Sequence, residues 1–399
     1  MKIERLRGTR DFTPEQMRRR KRLEGSMRRV LESFGYEEIQ TPSIEPLELF
    51  LVKSGEGVIG ETYNFRDKGG RDICLVPERT APTIRFYVND LQRVEKPLKL
   101  YYFENCFRYE NPQKARYREF WQFGAELIGI NDRAKANAEL ISVAYRAISV
   151  AGIETKVRIG DLNILRPAVK ACGAEEGRLM RAIDKGDSET MRAMADESLL
   201  TLLECRSVDE LEGYDEEKAL LTRILECLKA CGVEAELDLG IARGLDYYYG
   251  IVFEIDCPSL GAEKQVAGGG EYALTELFGG REVGSSGFAI GFDRVVEVAE
   301  LKEERARRGV FIIPLSDGLY IPLLEMAQEL RSMGVRCEIE NNNRKAEKAL
   351  AYADSKLYRY AVLKGEREEP DKVTLRDLES GEQRIVSFDE LKVVLSAKE

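Results

Sequence analysis

The chain contains no histidine. That removes the commonest general base and the commonest metal ligand, so chemistry here falls to arginines, carboxylates and a bound cation. A zinc site would need four cysteines. The eight present (Cys74, Cys106, Cys172, Cys205, Cys227, Cys231, Cys257 and Cys337) are scattered and form no CxxC pair. Cys227 and Cys231 lie one helical turn apart in an apolar pattern and read as core. The expectation is reduced thiols in a cytoplasmic protein. No apolar run approaches the roughly 20 residues of a membrane span. The opening MKIERLRGTRDF has no apolar signal core. Internal repeats and low-complexity tracts are also missing.

What is present fits a soluble globular protein of two or three domains. The chain has 399 residues, 43% hydrophobic and 33% charged, with a net charge of −10. Charge is uneven: residues 1–35 carry eleven Lys or Arg against five Asp or Glu, including the run Arg18 to Arg22. Such a patch can contact phosphate on an acidic protein, or it can be a solvated helix face.

Periodicity predicts a helix over 15–34 ended by Gly35, a strand broken by Pro42, and strand alternation over 61–77 around Lys68-Gly69-Gly70. It further predicts a helix from Glu78 to Gln92, strands over 99–110 and 156–160, a helix over 134–152, and a helix from Phe292 to Glu304. Between these regions, residues 165–232 are helical in pattern and carry no motif, so they read as an inserted helical domain. After the charged run LKEERARRG the pattern alternates strand and helix, which implies βαβ units and a mostly parallel sheet without a GxGxxG dinucleotide motif. The fold class is α/β, divided as 1–164, 165–232, 233–304 and 308–399.

Four segments carry the chemistry. In FRYENPQKARYREFWQFGAELIG (107–129), residues two apart share a strand face. Arg108 and Glu110 then face one way on a first strand. Phe120, Gln122, Glu126 and Ile128 face one way on a second. A basic loop with Asn111, Pro112, Lys114 and Arg116 joins them, an arrangement suited to a phosphate beside a polar small molecule or to a solvated hairpin. In LVPERTAPTIRFYVND, Glu78 and Thr80 sit at a strand-to-helix junction. The carboxylate there suits an ammonium group or simply the helix N-terminus. In ARGLDYYYGIVFEI, Arg243 and Asp246 precede three tyrosines that cannot all be core, because strand residues alternate faces. Finally, VAGGGEYALTELFGG leaves backbone bare for a flat ligand. It is followed by GSSGFAIGFDRVVEV, which sets Arg294 at a strand–helix junction where an arginine suits a polyphosphate.

In this order the segments resemble class II aminoacyl-tRNA synthetases, and among them the histidyl-tRNA synthetases. GTRDF (8–12) with its helix and YEEIQTPSIEP resembles the first class motif, 107–129 the second, and GFAIGFDR (287–294) the third. RGLDYYYG and GGGEY resemble the two segments peculiar to histidyl enzymes, and LGAEKQ resembles the archaeal branch. The resemblance implies an α+β catalytic part, with an antiparallel sheet flanked by helices, a helical insertion and a C-terminal α/β anticodon-binding domain. It also implies a homodimer, ATP with Mg²⁺ carried by its phosphates, histidine, and tRNA(His), with no metal held by the protein and no membrane.

The implied reaction has two steps: attack of the amino-acid carboxylate on the α-phosphate of ATP, then transfer to the terminal ribose of tRNA. By the match, Arg108 and Arg243 are the catalytic grip on the α-phosphate and Arg294 holds the γ end. Glu110 and Arg116 contact adenine and phosphate. Glu78, Thr80 and Gln122 bind the ammonium and carboxylate region, where Arg243 also reaches. Glu126, Tyr248 and Tyr272 line the imidazole pocket, since a carboxylate and a phenol match one donor and one acceptor. For tRNA the candidates are Lys114, Arg116 and Arg118 at the acceptor end, and Arg344, Lys345 and Lys348 at the anticodon loop. Three residues depart from the family pattern: Tyr249, Glu271 and Arg79. Alternatives are a paralogue that adenylates another substrate and a regulatory paralogue of histidine biosynthesis.

Overall fold

The computed structural model describes residues 3–54, 59–110, 116–242, 247–301 and 306–396. The chain forms two compact units, Met1–Leu301 and Lys302–Glu399. In the first, α1 (Pro14–Ser33) opens with a capping box: the Thr13 hydroxyl accepts from the Gln16 amide and the Gln16 side chain accepts from the Thr13 amide. Gly35, at φ +81°, turns the chain out of it. Strands β1 (Glu37–Glu38) and β2 (Ile44–Pro46) flank Pro42 and are followed by α2 (Glu48–Ser54). β3 (Asn64–Arg66) and β4 (Asp72–Leu75) complete a three-stranded antiparallel sheet with β2.

Helix α3 (Thr80–Phe86) starts two residues later than periodicity predicts, and a π-helical turn (Tyr87–Leu91) completes it. Glu78 stands outside it, accepting from the Thr80 and Ala81 amides at 2.7 and 3.0 Å. Strands β5 (Leu98–Phe107) and β6 (Glu119–Ile128) pair from Leu98↔Ile128 to Phe107↔Glu119. Arg108 and Glu110, expected on the strand, lie past its end. The reason is a change of partner: Arg108 N still donates to Arg118 O, but Tyr109 N donates to Glu61 O and draws the chain away from β6.

The rest of this unit comprises α4 (Arg133–Ser149), β7 (Lys156–Asp161), the helices α5 (Leu162–Ala171), α6 (Glu176–Lys185), α7 (Ser188–Met194), α8 (Glu197–Glu204) and α9 (Asp215–Ala230), then β8 (Ala235–Leu237), β9 (Tyr248–Asp256), β10 (Gln265–Tyr272), α10 (Leu274–Leu277), β11 (Ser285–Gly291) and α11 (Phe292–Val298). Helix α11 ends six residues earlier than predicted. Ala299 takes extended backbone, and Glu300 N donates to Ala151 O instead of continuing the turn.

One eight-stranded sheet organises the unit, in the order β1-β5-β6-β11-β10-β9-β7-β8. Its six central strands are antiparallel and only the outer pairs β1–β5 and β7–β8 are parallel. Strand alternation divides its side chains between two cores. Phe123, Ala125, Leu127, Phe253 and Phe288 pack with Leu23, Met27 and Leu31 of α1, with α4, and with Leu221, Ile224 and Leu228 of α9. Ile128, Tyr248, Val252 and Tyr272 pack the other way, with Ile84 of α3 and with Leu165, Leu179 and Leu199 of α5, α6 and α8. The helical stretch thus contributes to both faces of the sheet.

The second unit holds β12 (Val310–Pro314), α12 (Tyr320–Ser332), β13 (Cys337–Ile339), α13 (Ala346–Ser355), β14 (Tyr360–Lys364), β15 (Lys372–Asp377), β16 (Gln383–Ser387) and α14 (Phe388–Ser396). Its sheet, β13-β12-β14-β15-β16, has two parallel pairs followed by two antiparallel ones. It is therefore mixed, where βαβ alternation alone predicts mostly parallel. The added antiparallel half is the β15–β16 hairpin, which turns through Gly381 at φ +79°. All eight cysteines are free. Among the described residues no helix is long and apolar enough to cross a membrane.

Candidate active site

A cleft of about 580 Å³ opens on the first unit, within the range of small-molecule sites. Nine of the residues singled out from the sequence line it: Glu78, Thr80, Arg108, Glu110, Arg116, Phe120, Gln122, Tyr248 and Arg294. They come from the start of α3, the β5–β6 connection, β6, β9 and α11, so the fold gathers side chains more than 200 positions apart.

Three arginines, Arg108, Arg116 and Arg294, line the cleft. The Arg108 guanidinium donates to Pro77 O at 2.9 Å and stands 5.2 Å from the Phe120 ring centre. It lies 3.9 Å from Glu110, which also pairs with Arg116 at 3.2 Å. Arg294 donates to Gln265 O at 2.5 Å. Gln265 in turn donates to Glu254, held by Arg158 at 2.6 Å. Beside Arg294, buried Asp293 accepts from Arg10, Arg20 and the Trp121 amide at 2.5, 2.5 and 2.7 Å. It thereby ties the Gly8-Thr9-Arg10 segment and α1 to β6 and α11. Three guanidinium groups in the lining of one cleft favour a polyphosphate.

Behind Thr80 lies a buried polar nest. The Glu126 carboxylate is fully shielded from solvent and accepts from Tyr272 at 2.7 Å and from Tyr102 at 3.2 Å, with Thr80 also hydrogen-bonded to it. Burial pushes its carboxyl up to about 8, against the downward pull of these hydrogen bonds, and the neighbouring Glu78 carboxylate adds to the rise. Burial likewise raises Glu78, while its two backbone amides and Arg108 oppose the shift. Gln122 lines the cleft and accepts from the Cys106 thiol at 3.2 Å.

Sequence and packing explain how Glu126 reaches this depth. It pairs with Gly287 of β11, and a Cβ at Gly287 would occupy the space of the Glu126 carboxylate. Two residues earlier, a Cβ at Gly124 would strike the Tyr102 ring, so Gly124 lets that ring lie across β6 and put its hydroxyl on Glu126. Glu126 and Tyr272 lie behind the cleft wall, not on it. Thr80, which touches Glu126, and Tyr248, which pairs with Tyr272, are the wall residues connected to them.

The departing residues lie elsewhere. Arg79 is buried and paired with Glu104 at 2.6 Å, and it donates to Pro42 O at 3.0 Å and Asn105 O at 2.5 Å. It braces β5 against the chain around Pro42. Tyr249 and Glu271 occupy the opposite face of the sheet, beside Arg133, around a separate cavity of about 30 Å³. The Glu271 charge is spent there and does not enter the cleft. Arg243, Asp246, Lys114, Asn111 and Pro112 lie outside the described residues. Of the tRNA candidates, Arg118 donates to Glu110 O at 3.0 Å and stacks on Tyr109, and Arg344 pairs with Glu340 at 2.7 Å over the Tyr352 ring. Lys345 and Lys348 are exposed at the start of α13.

Four contributors were not singled out from the sequence: Tyr102, Tyr247, Glu254 and Asp293. Tyr247 lines the cleft with its ring 4.7 Å from Tyr248. It precedes β9, so strand alternation does not send it to the opposite face. The consecutive tyrosines were the available signal for it.

A family model described as histidyl-tRNA synthetase matches residues 8–295, and one described as an anticodon binding domain matches 309–398. The histidine–tRNA ligase of Methanosarcina acetivorans is 44% identical over 98% of this chain and 98% of its own length. That of Archaeoglobus fulgidus is 43% identical over 99% and 100%. Among solved structures, apo histidyl-tRNA synthetase of S. aureus aligns with a TM-score of 0.78 at 27% identity, covering 99% of this chain and all of that one.

Proposed function

We propose, for a chain that belongs to the histidyl-tRNA synthetase family, that the cleft activates histidine with ATP and passes it to the 3′ end of tRNA(His). The protein is an aminoacyl-tRNA ligase. In the first step a carboxylate oxygen of histidine attacks the α-phosphorus of ATP, and the bond to the bridging oxygen of pyrophosphate breaks. In the second, a hydroxyl of the terminal ribose attacks the acyl carbon and AMP leaves. Neither step needs a protein nucleophile. Both need positioning and charge neutralisation, which a chain without histidine can supply through arginine.

The observation that carries the reading is the lining of the cleft. Arg108, Arg116 and Arg294 share it with Glu78, Thr80 and Gln122, and Thr80 is bonded to the buried Glu126 that Tyr272 also holds. Arg108 meets the α-phosphate, Arg294 the γ end, and Arg116 with Glu110 the adenine side. Arg243 joins Arg108 on the strength of the family match. Glu78 takes the substrate ammonium and Gln122 its carboxylate. Glu126 and Tyr272, with Tyr248 at the wall, take the imidazole. Mg²⁺ carried on the ATP phosphates would withdraw charge from them. Glu110 and Glu254, two of the carboxylates that line the cleft, would offer it oxygen donors. The second unit, with Arg344, Lys345 and Lys348, is assigned to the anticodon loop, and the active form to a homodimer.

The test is ATP–pyrophosphate exchange with each amino acid in turn, followed by charging of tRNA. Exchange with histidine alone, then charging of tRNA(His), is expected. Exchange with a different amino acid would replace histidine in the reading, and no exchange with any would remove the enzymatic assignment.

A further inference from the structure

The bond between β10 and β9 skips two residues at the edge of the proposed amino-acid pocket. Gly270 pairs with Val252, but the next residue, Glu271, pairs with Tyr249, and Tyr272 pairs with Tyr248. Gly250 and Ile251 are therefore extra on β9, and Gly250 takes φ +57° to accommodate them. In an unbulged ladder Tyr272 would face Gly250, and Tyr248 would lie two residues further along, a displacement of roughly 6–7 Å. The bulge is what brings the two tyrosines side by side.

Glu271 closes that bulge from behind. Its Oε2 accepts from the Ile251 amide, which the bulge leaves out of the ladder, at 2.9 Å. The same carboxylate accepts a two-point bond from Arg133 at 2.9 and 2.6 Å and a further one from Asn137 at 2.9 Å. Both partners belong to the first turns of α4, so one buried carboxylate fastens the bulge to a helix on the far side of the sheet.

We infer that Glu271 is a positioning residue for histidine: with Arg133 it holds the β9–β10 bulge that places Tyr248 and Tyr272 at the Glu126 pocket. This deepens the histidine reading of that pocket and rests on it. Neither residue touches the cleft, and neither contacts the ATP end.

The experiment measures separate KM values for histidine and ATP in pyrophosphate exchange, with thermal melts as a check of folding. Glu271→Ala is expected to raise the histidine KM about tenfold or more, the scale of a small misplacement in a site, while the ATP KM stays within about twofold. Glu271→Gln keeps an oxygen for the Ile251 amide and is expected to recover most of the loss. Arg133→Gln, at a half-exposed position, covers the case in which Glu271→Ala does not fold, and is expected to raise the histidine KM selectively, by about threefold. A histidine KM unchanged in Glu271→Ala or, failing that, in Arg133→Gln overturns the inference. So does a rise shared equally by ATP. Wild-type exchange with histidine is the separate control: its absence would defeat the functional reading, while its presence with insensitive variants would defeat only the positioning role.

Discussion

The Tyr272 hydroxyl donates to Oε2 of Glu126 at 2.7 Å, at a depth where neither side chain meets solvent. Removing one partner of a buried hydrogen bond leaves the other unsatisfied and costs about 1–3 kcal/mol. Tyr272→Phe removes the donor and keeps the ring, so the pocket keeps its shape and loses one hydrogen bond to Glu126. The histidine KM should rise by roughly 10- to 100-fold with the ATP KM unaltered. Steady-state exchange kinetics check this, and an equal rise in both constants would place Tyr272 outside the amino-acid site.

Without histidine side chains, titration between pH 5 and 8 falls largely to displaced carboxyls. Burial raises Glu126 from 4.5 to about 8 and Asp161 to about 6. The sign follows from proton binding. Between pH 4.5 and 8 the folded chain keeps a proton on Glu126 that the unfolded chain has released. The stability from this group is therefore complete below 4.5 and lost as pH rises through about 8. Glu126→Gln cannot titrate. The stability of wild type relative to Glu126→Gln should fall with pH across that window, by at most about 1.4 kcal/mol per pH unit. Urea unfolding of both proteins at several pH values measures the difference; a constant difference would mean that the carboxyl titrates normally in the folded state.

Arg79 looked in the sequence like a departure within the substrate segment, but its geometry is that of a brace. Its guanidinium is buried against Glu104, Pro42 O and Asn105 O. Arg79→Ala would leave the Glu104 carboxylate buried without its counter-charge, at a cost of about 3–5 kcal/mol. Arg79→Met combined with Glu104→Met should recover much of that loss, because both charges then leave together. Denaturant unfolding of the two variants checks this. A loss below about 1 kcal/mol for Arg79→Ala would contradict the structural role.

Local signals carried much of the fold and the cleft. The Thr13–Gln16 capping box, Gly35 and the apolar step Leu23, Met27, Leu31 mark α1 without any tertiary information. Alternation likewise puts Gln122 and Glu126 on one face of β6. Where β5 ends was not legible, because the Tyr109 amide finds Glu61 O, a partner 48 positions earlier. The burial of Arg79 depends similarly on carbonyls around Pro42 and at Asn105. The place of Glu271 was not legible for a related reason. Adjacent residues in a strand face opposite ways, and the partners that absorb its charge, Arg133 and Asn137, come from a helix more than 130 positions away. The β15–β16 hairpin does carry a local signal, the turn at Ser380-Gly381 between its two strands.

Gly287 permits the pocket in the most literal way, because the position its Cβ would take is already filled by the Glu126 carboxylate, with Ala125 O 3.0 Å away on the backbone side. The strand pairing fixes Gly287 opposite Glu126, so the backbone cannot yield without breaking the β6–β11 ladder. The side chain must move instead, away from the Tyr272 and Tyr102 hydroxyls. Gly287→Ala should therefore act in two ways at once. Stability should fall by about 1–3 kcal/mol, the range for overpacking a filled interior. The histidine KM should rise more than the ATP KM, because the displaced group belongs to the amino-acid end. Pairing the substitution with Glu126→Ala, which empties the contested space, should remove the overpacking part of the loss without restoring histidine activation. If Gly287→Ala melts like wild type and keeps its histidine KM, the carboxylate does not sit where the β6–β11 register puts it.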